Sequence, residues 1–129
     1  MTVRWAGPYT TAPCTGADGA GAVTYTTPHK LNGLVHSIVV KYAGDKPATT
    51  DVTVKTRGTS PAAPTFNLLV VANSATDGMY NPRLDAHKAS DGTALTANNV
   101  LPLIDDYVQV VVAQANTDDT VTIWLGLVD

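Results

Sequence analysis

The sequence predicts an all-β protein, an antiparallel β-sandwich or barrel of about seven to nine short strands with an extended N-terminal arm. Three observations carry that expectation. The first is composition: among 129 residues every acidic residue is Asp, charged residues make up only 15%, and Thr, Val and Ala are abundant. Removing Glu and Lys while keeping Thr and Val withdraws helix formers and supplies strand formers. The second is periodicity. Apolar residues alternate with polar ones in most windows, and no window shows a 3.6-residue amphipathic pattern. The third is punctuation, with Gly, Pro, Asn and Asp clusters cutting the chain into strand-length pieces.

One domain is expected at this length, and a hydrophobic fraction of 44% is enough for a core. Residues 1–21 carry Pro8, Pro13, Gly16, Gly19 and Gly21. They read as an extended arm rather than a packed element, leaving 22–129 as the β domain. Trp5 and Tyr9 are unusual in a solvated tail, so they tuck onto the domain or dock on another chain.

Residues 23–27 (VTYTT) form the first strand candidate. In 34–42, alternation places Leu34, His36, Ile38, Val40 and Tyr42 on one face and Val35, Ser37, Val39 and Lys41 on the other. Residues 43–50 form a loop. In 50–56, Val52 and Val54 point inward. A second loop covers 57–64. Residues 65–72 send Phe66, Leu68 and Val70 one way. Residues 107–115 and 120–128 flank Asn-Thr-Asp-Asp and predict a β-hairpin closed by that loop. Tyr107 and Trp124 fall on outer faces.

The densest cluster of chemically capable side chains is ATDGMYNPRLDAHKASDGTAL, residues 75–95. Asp77-Gly78 ends a turn and Met79–His87 suits an extended segment. Its alternation puts Met79, Asn81, Arg83, Asp85 and His87 on one face. Pro82 has no N–H to give a ladder, so the strand belongs at an edge or starts late, near Arg83. Residues 90–93 turn the chain toward a short strand at 94–96. An Asp–His pair can orient an imidazole as a base, but a triad also needs a nucleophile, and no Ser or Cys sits in a recognisable elbow. The pattern therefore predicts a polar edge with a surface ion pair at Arg83, or a contact surface, and no enzyme.

The remaining motifs predict no cofactor and no metal. His29, His36 and His87 lack ligand spacing. Asp105-Asp106 and Asp118-Asp119 are adjacent pairs, which on a strand point to opposite faces, and read as solvated turns. GADGAG at 16–21 has no phosphate-loop context. The net charge of −3 gives little attraction to nucleic acid or anionic membrane, and no apolar run spans a bilayer. The N-terminus lacks a signal-peptide core, and the lone Cys14 fits synthesis in a reducing compartment.

Four pieces, HKLNGLVHSIVVKY (29–42), TTDVTVKT (49–56), TDGMYNPRLDAH (76–87) and VQVVVAQANTDDTVTIWLGL (108–127), together resemble small all-β capsid decoration, or cement, proteins of tailed bacteriophages. The most distinctive part is TDG-x-Y-x-P-R. Where an aromatic often follows the glycine in such proteins, this chain has Met79. The resemblance implies a non-enzymatic virion protein, made in the bacterial cytoplasm, that binds the major capsid protein on the shell exterior and forms a homo-oligomer, with a trimer favoured. On that view the candidate contact residues are Trp5, Tyr9, Met79, Asn81, Arg83, Asp85 and His87, and residues 1–21 order on docking. The alternatives are a carbohydrate- or receptor-binding module of a phage fibre and a tail or connector component.

Overall fold

The computed structural model describes residues 2–59, 65–95 and 100–129. Nine strands run in chain order: β1 (Arg4–Thr10), β2 (Gly21–Thr26), β3 (Leu31–Ala43), β4 (Asp51–Thr56), β5 (Asn67–Val71), β6 (Gly78–Tyr80), β7 (Leu103–Asp106), β8 (Val108–Ala115) and β9 (Thr120–Val128). They form two antiparallel sheets. Sheet I has the order β1-β9-β3-β6, with β7 also on β3, and sheet II has the order β2-β8-β4-β5. The all-β sandwich expected from composition and alternation is therefore the fold. The expected loop over 57–64 and strand over 94–96 run partly outside the described residues.

The core lies between the sheets. Val35, Ile38, Val40, Ile123, Leu125 and Leu127 from sheet I meet Val52, Val54, Val108, Val110 and Val112 from sheet II, and none of these side chains is exposed. β-branched valines suit such a half-buried pleated surface because their stiff χ1 costs little there.

Four local expectations are corrected. The runs 107–115 and 120–128 do not pair as a hairpin. β8 lies between β2 and β4, and β9 lies between β1 and β3, so residues 116–119 carry the chain from one sheet to the other. Alternation fixes which side chains point inward but not which sheet a strand joins, and both arrangements bury the same residues. The second correction is in β3. Its pairing with β9 shifts between Val35 and Ser37, an extra residue that places His36 in a bulge. Leu31 and Val35 point inward before the bulge, and Ile38, Val40 and Tyr42 after it, so Leu34 and His36 leave the face expected for them.

The third is in β5, where a similar irregularity between Val54 and Lys55 buries Leu68 and Val71 and leaves Val70 at 58% exposure. The fourth is the arm. Residues 4–10 are strand β1, paired with β9. Thr11 donates its N–H to Val121 O at 2.9 Å, and Cys14 donates to Asp119 O at 2.8 Å. The prolines and glycines did not exclude a strand, because an edge strand tolerates both. Pro8 sits where the β1–β9 register breaks, between Ala6 and Tyr9.

Candidate functional site

The 75–95 stretch starts as a clip on β3. Asp77 Oδ1 accepts the backbone N–H of Tyr42 at 2.9 Å. Gly78, Met79 and Tyr80 then pair with Val40, Val39 and Ile38. At the bulge, the carbonyl of His36 accepts from Asn81 Nδ2 and from Arg83 Nη1, each at 3.1 Å. Asn81 Nδ2 also donates to Ser37 Oγ at 2.9 Å, and Ser37 Oγ lies 2.6 Å from His36 Nδ1. A bulge leaves a carbonyl outside the ladder, and here two side chains satisfy it. Asn81 and Arg83 are thus engaged within the chain. The expected ion pair at Arg83 is replaced by these bonds and one to Pro82 O at 2.7 Å. Among the described residues the ion pair is Arg4 with Asp129, at 3.1 Å on the surface.

Beyond Arg83 the chain leaves the sheet. Asp85 and His87 are exposed, and among the described residues neither side chain makes a hydrogen bond. Of the extended segment expected over 79–87, strand β6 takes only the residues up to Tyr80, and beyond it there are isolated bridges of Leu84 with Val100 and His87 with Ala94. Among the described residues neither Asp85 nor His87 makes a hydrogen bond to a Ser or Cys, and Cys14 is buried at 1% exposure. Among the described residues no group of His, Cys or Asp could hold a metal ion.

Tyr9 turns toward the interior. It packs against the core and lies 6.4 Å from Tyr25 of the opposite sheet, centroid to centroid. Trp5 and Met79 stay outside, at 51% and 63% exposure.

The two acidic pairs are not both solvated turns. Asp106 is fully buried and collects four hydrogen bonds: backbone N–H groups of Gly58, Thr59 and Tyr107 and the hydroxyl of Thr59. Burial alone would raise its pKa. The bonds from Thr59, Gly58 and Tyr107 outweigh it and hold the carboxyl below the usual range. Asp119, at 4% exposure, accepts Asp45 N–H at 2.8 Å and Asn116 N–H at 3.0 Å, tying the β3–β4 loop to the sheet-crossing segment. Each pair has one inward and one outward member. Sequence spacing alone did not tell which one points inward.

The surface that stands out is the outer face of sheet I. Side chains paired across antiparallel strands share a face. One row runs Trp124, Val39 and Met79 across β9, β3 and β6. Another holds Trp5 over Gly126, where an added Cβ would approach the indole ring to 3.2 Å and Val3 Cγ1 to 2.9 Å. Leu34 and Leu103 pair at the far end of β3, with Leu103 at 65% exposure. Below the Trp124 row lie Thr10, Thr122 and Lys41. Lys41 Nζ sits over the Trp124 ring, 5.6 Å from its centroid. Lys41 is the one charged residue in these rows.

The outer face of sheet II differs. Its rows read Thr24, Val111, Thr53, Val70 and Thr26, Gln109, Lys55, Asn67. An antiparallel sheet normally solvates its outer face with polar residues, and sheet II does so apart from Val111 and Val70. Sheet I carries large apolar side chains on its outer face as well, in the Trp124 and Trp5 rows, above the polar row of Thr10, Thr122 and Lys41. The sequence signal for this existed in part: Val39 shares a face of 34–42 with Lys41, and Trp124 falls on the outer face of 120–128.

No protein-family model matches the chain, and no curated protein matches it. A solved structure, an arginine-to-alanine mutant of a family 29 carbohydrate-binding module studied for its ligand recognition, superposes with a TM-score of 0.40 at 13% identity, over 98% of this chain and 77% of that one.

Proposed function

We propose that this chain is a non-enzymatic structural protein of a phage virion that docks on the outside of the capsid and cements it through the outer face of sheet I. The observation that carries the reading is the apolar character of that face. Trp5, Val39, Met79, Trp124 and Leu103 give it large exposed or half-exposed side chains, while the exterior rows of sheet II carry only Val111 and Val70 among Thr, Gln, Lys and Asn. Exposed apolar area of this kind marks a contact surface. The side chains with catalytic potential in 77–83 are spent on holding β3, which removes them from chemistry. The resemblance of the four sequence pieces to decoration proteins supplies the partner, the major capsid protein. Many copies on one shell gain avidity, so each face needs only modest affinity.

Co-sedimentation with empty, expanded heads that lack this protein tests the proposal. Saturable binding at a fixed ratio to capsid subunits is the expected result, and Met79→Asp should weaken it about tenfold or more. Absence of binding to expanded heads ends the reading.

A second reading, a carbohydrate-binding module, is favoured by one observation: Trp5 and Trp124 share a face. Against it, Lys41 lies over the Trp124 ring where a sugar would stack. Retardation in glycan-containing gels, lost in Trp5→Ala, would support it over docking on protein.

A further inference from the structure

One charged side chain stands in the described rows of the outer face of sheet I, between two kinds of neighbour. Lys41 pairs with Thr122, which pairs with Thr10, so the three share one row across β3, β9 and β1. The next row holds Trp124, Val39 and Met79. Lys41 is exposed, and its Nζ lies over the Trp124 ring, 5.6 Å from the centroid. Among the described residues it makes no ion pair. The carboxylate that comes next across β6 is Asp77, which precedes Gly78 opposite Val40. Its Oδ1 already accepts Tyr42 N–H at 2.9 Å.

The Lys41 row offers donors and no acidic acceptor. Thr10 Oγ1 and Thr122 Oγ1 are 2.8 Å apart. In such a pair one hydroxyl gives its proton to the other, so one O–H is left to donate. Beside it stands an ammonium with three N–H groups, steadied by the Trp124 ring. An ammonium next to a hydroxyl, bordered by indole and methionine, suits the two oxygens of one carboxylate. We propose that this row is the seat for a single Asp or Glu side chain of the partner, set in an otherwise apolar contact, and that Lys41 is the residue that selects the partner.

The seat rests on docking through this face, as proposed above. A partner that covers Trp124 covers Lys41 with it, because the ammonium lies on the ring. Taking an ammonium out of water without a counter-charge is strongly unfavourable, and an apolar partner surface has nothing to offset it. A carboxylate does offset it, and the spare threonine hydroxyl satisfies its second oxygen. The same row rejects wrong partners, since a Lys or Arg placed against Lys41 is repelled. The chain's net charge of −3 disfavours acidic surfaces in general, so on this face a partner carboxylate is admitted where Lys41 stands.

Co-sedimentation of the full chain with expanded heads tests the seat, with Met79→Asp as the control for docking. Lys41→Met keeps the apolar bulk of the side chain and removes its charge. It should bind about tenfold more weakly or worse, because the partner's carboxylate is then buried without a counter-charge. Lys41→Arg should bind more tightly than Lys41→Met. Thr122→Val, which removes a hydroxyl and keeps the shape, should weaken binding about fivefold. A water-soluble carbodiimide gives a readout independent of affinity. It activates a carboxylate as an acylisourea, and Lys41 Nζ attacks the acyl carbon, expels the urea and forms an amide. Mass spectrometry of the bound complex should find Lys41 joined to one Asp or Glu of the major capsid protein. Lys41→Met binding as tightly as the wild type or more tightly, with Met79→Asp still weakened, would mean that the covering surface is apolar, and would overturn the seat while leaving docking intact. A bound wild type in which Lys41 stays unjoined would overturn it likewise. A wild type that does not bind expanded heads ends the docking reading and the seat with it.

Discussion

Asn81 donates its side-chain Nδ2 to the backbone carbonyl of His36 at 3.1 Å, across 45 residues of sequence. The bond explains why a polar stretch that looks like a site behaves as a fastener. The bulge at His36 switches the inward face of β3, and its carbonyl would otherwise be left without a ladder partner. Arg83 reaches the same oxygen. Asn81→Ala and Arg83→Ala should each destabilise the fold by about 1 kcal/mol. Because both serve one acceptor, the double variant should deviate from additivity. Chemical denaturation of the four-member cycle checks this. Additive losses would mean that the two bonds act independently.

Asp106 predicts an acid-labile step. Its folded pKa is lowered, so the group stabilises the fold fully above the unfolded carboxylate value of about 3.9, and that contribution is lost as pH falls below it and through the lower folded value. Asp106→Asn should flatten the acid limb of stability against pH. At neutral pH it should cost about 2 kcal/mol, since bonds to a charged acceptor are replaced by weaker ones and two donors lose a carboxylate oxygen. Melting temperature measured from neutral to acid pH reads both effects. An unchanged acid limb would assign the transition to other carboxylates.

Cys14 should be inert in the folded protein. Burial first, and the neighbouring Asp119 carboxylate second, push its thiol pKa up, and the side chain is 1% exposed. The thiolate is the reactive form, so both factors suppress alkylation. Mass spectrometry after maleimide treatment should find no adduct in buffer and one adduct in denaturant. Rapid native labelling would mean that the segment around residues 11–15 opens readily.

Gly44 is fixed by two constraints at once. Its φ is +106°, and an added Cβ would come within 2.2 Å of Asp119 Oδ1. Gly44→Ala should therefore destabilise by about 2 kcal/mol or more, through strain and loss of the Asp119 bond to Asp45 N–H. Pairing it with Asp119→Ala should recover part of the strain in a thermal melt.

The fold class was legible because alternation and composition act residue by residue. Val52, Val54, Val108, Val110 and Val112 all point inward as their spacing demands. What the sequence did not reveal required partners from distant positions. The bulge at His36 depends on β9, on Asn81 and on Arg83. The burial of Asp106 depends on Gly58 and Thr59. The assignment of β8 and β9 to different sheets rests on neighbours 50 or more residues away, such as Asp51 opposite Ala113. Of the candidate contact residues, Trp5 and Met79 are on an open face, and Asp85 and His87 are exposed beyond β6. Tyr9, Asn81 and Arg83 turned out to serve the fold itself, because Tyr9 faces the opposite sheet and the other two meet a carbonyl that alternation alone does not show.

The sheet-crossing segment also bears on how the chain is made. β8 and β9 are interior strands, one in each sheet, and both lie in the last part of the sequence. Until they leave the ribosome, β2 has no neighbour in its sheet, β1 has none in its own, and the valines of β3 and β4 lack the β8 and β9 side chains that complete each layer. The nascent chain must therefore stay open through most of its synthesis and close late, in a single event dominated by distant pairings, which makes folding slow for a chain of this size. A chain stopped just before residue 108 would have most of its strands and no sandwich, and would be a substrate for chaperones and proteases.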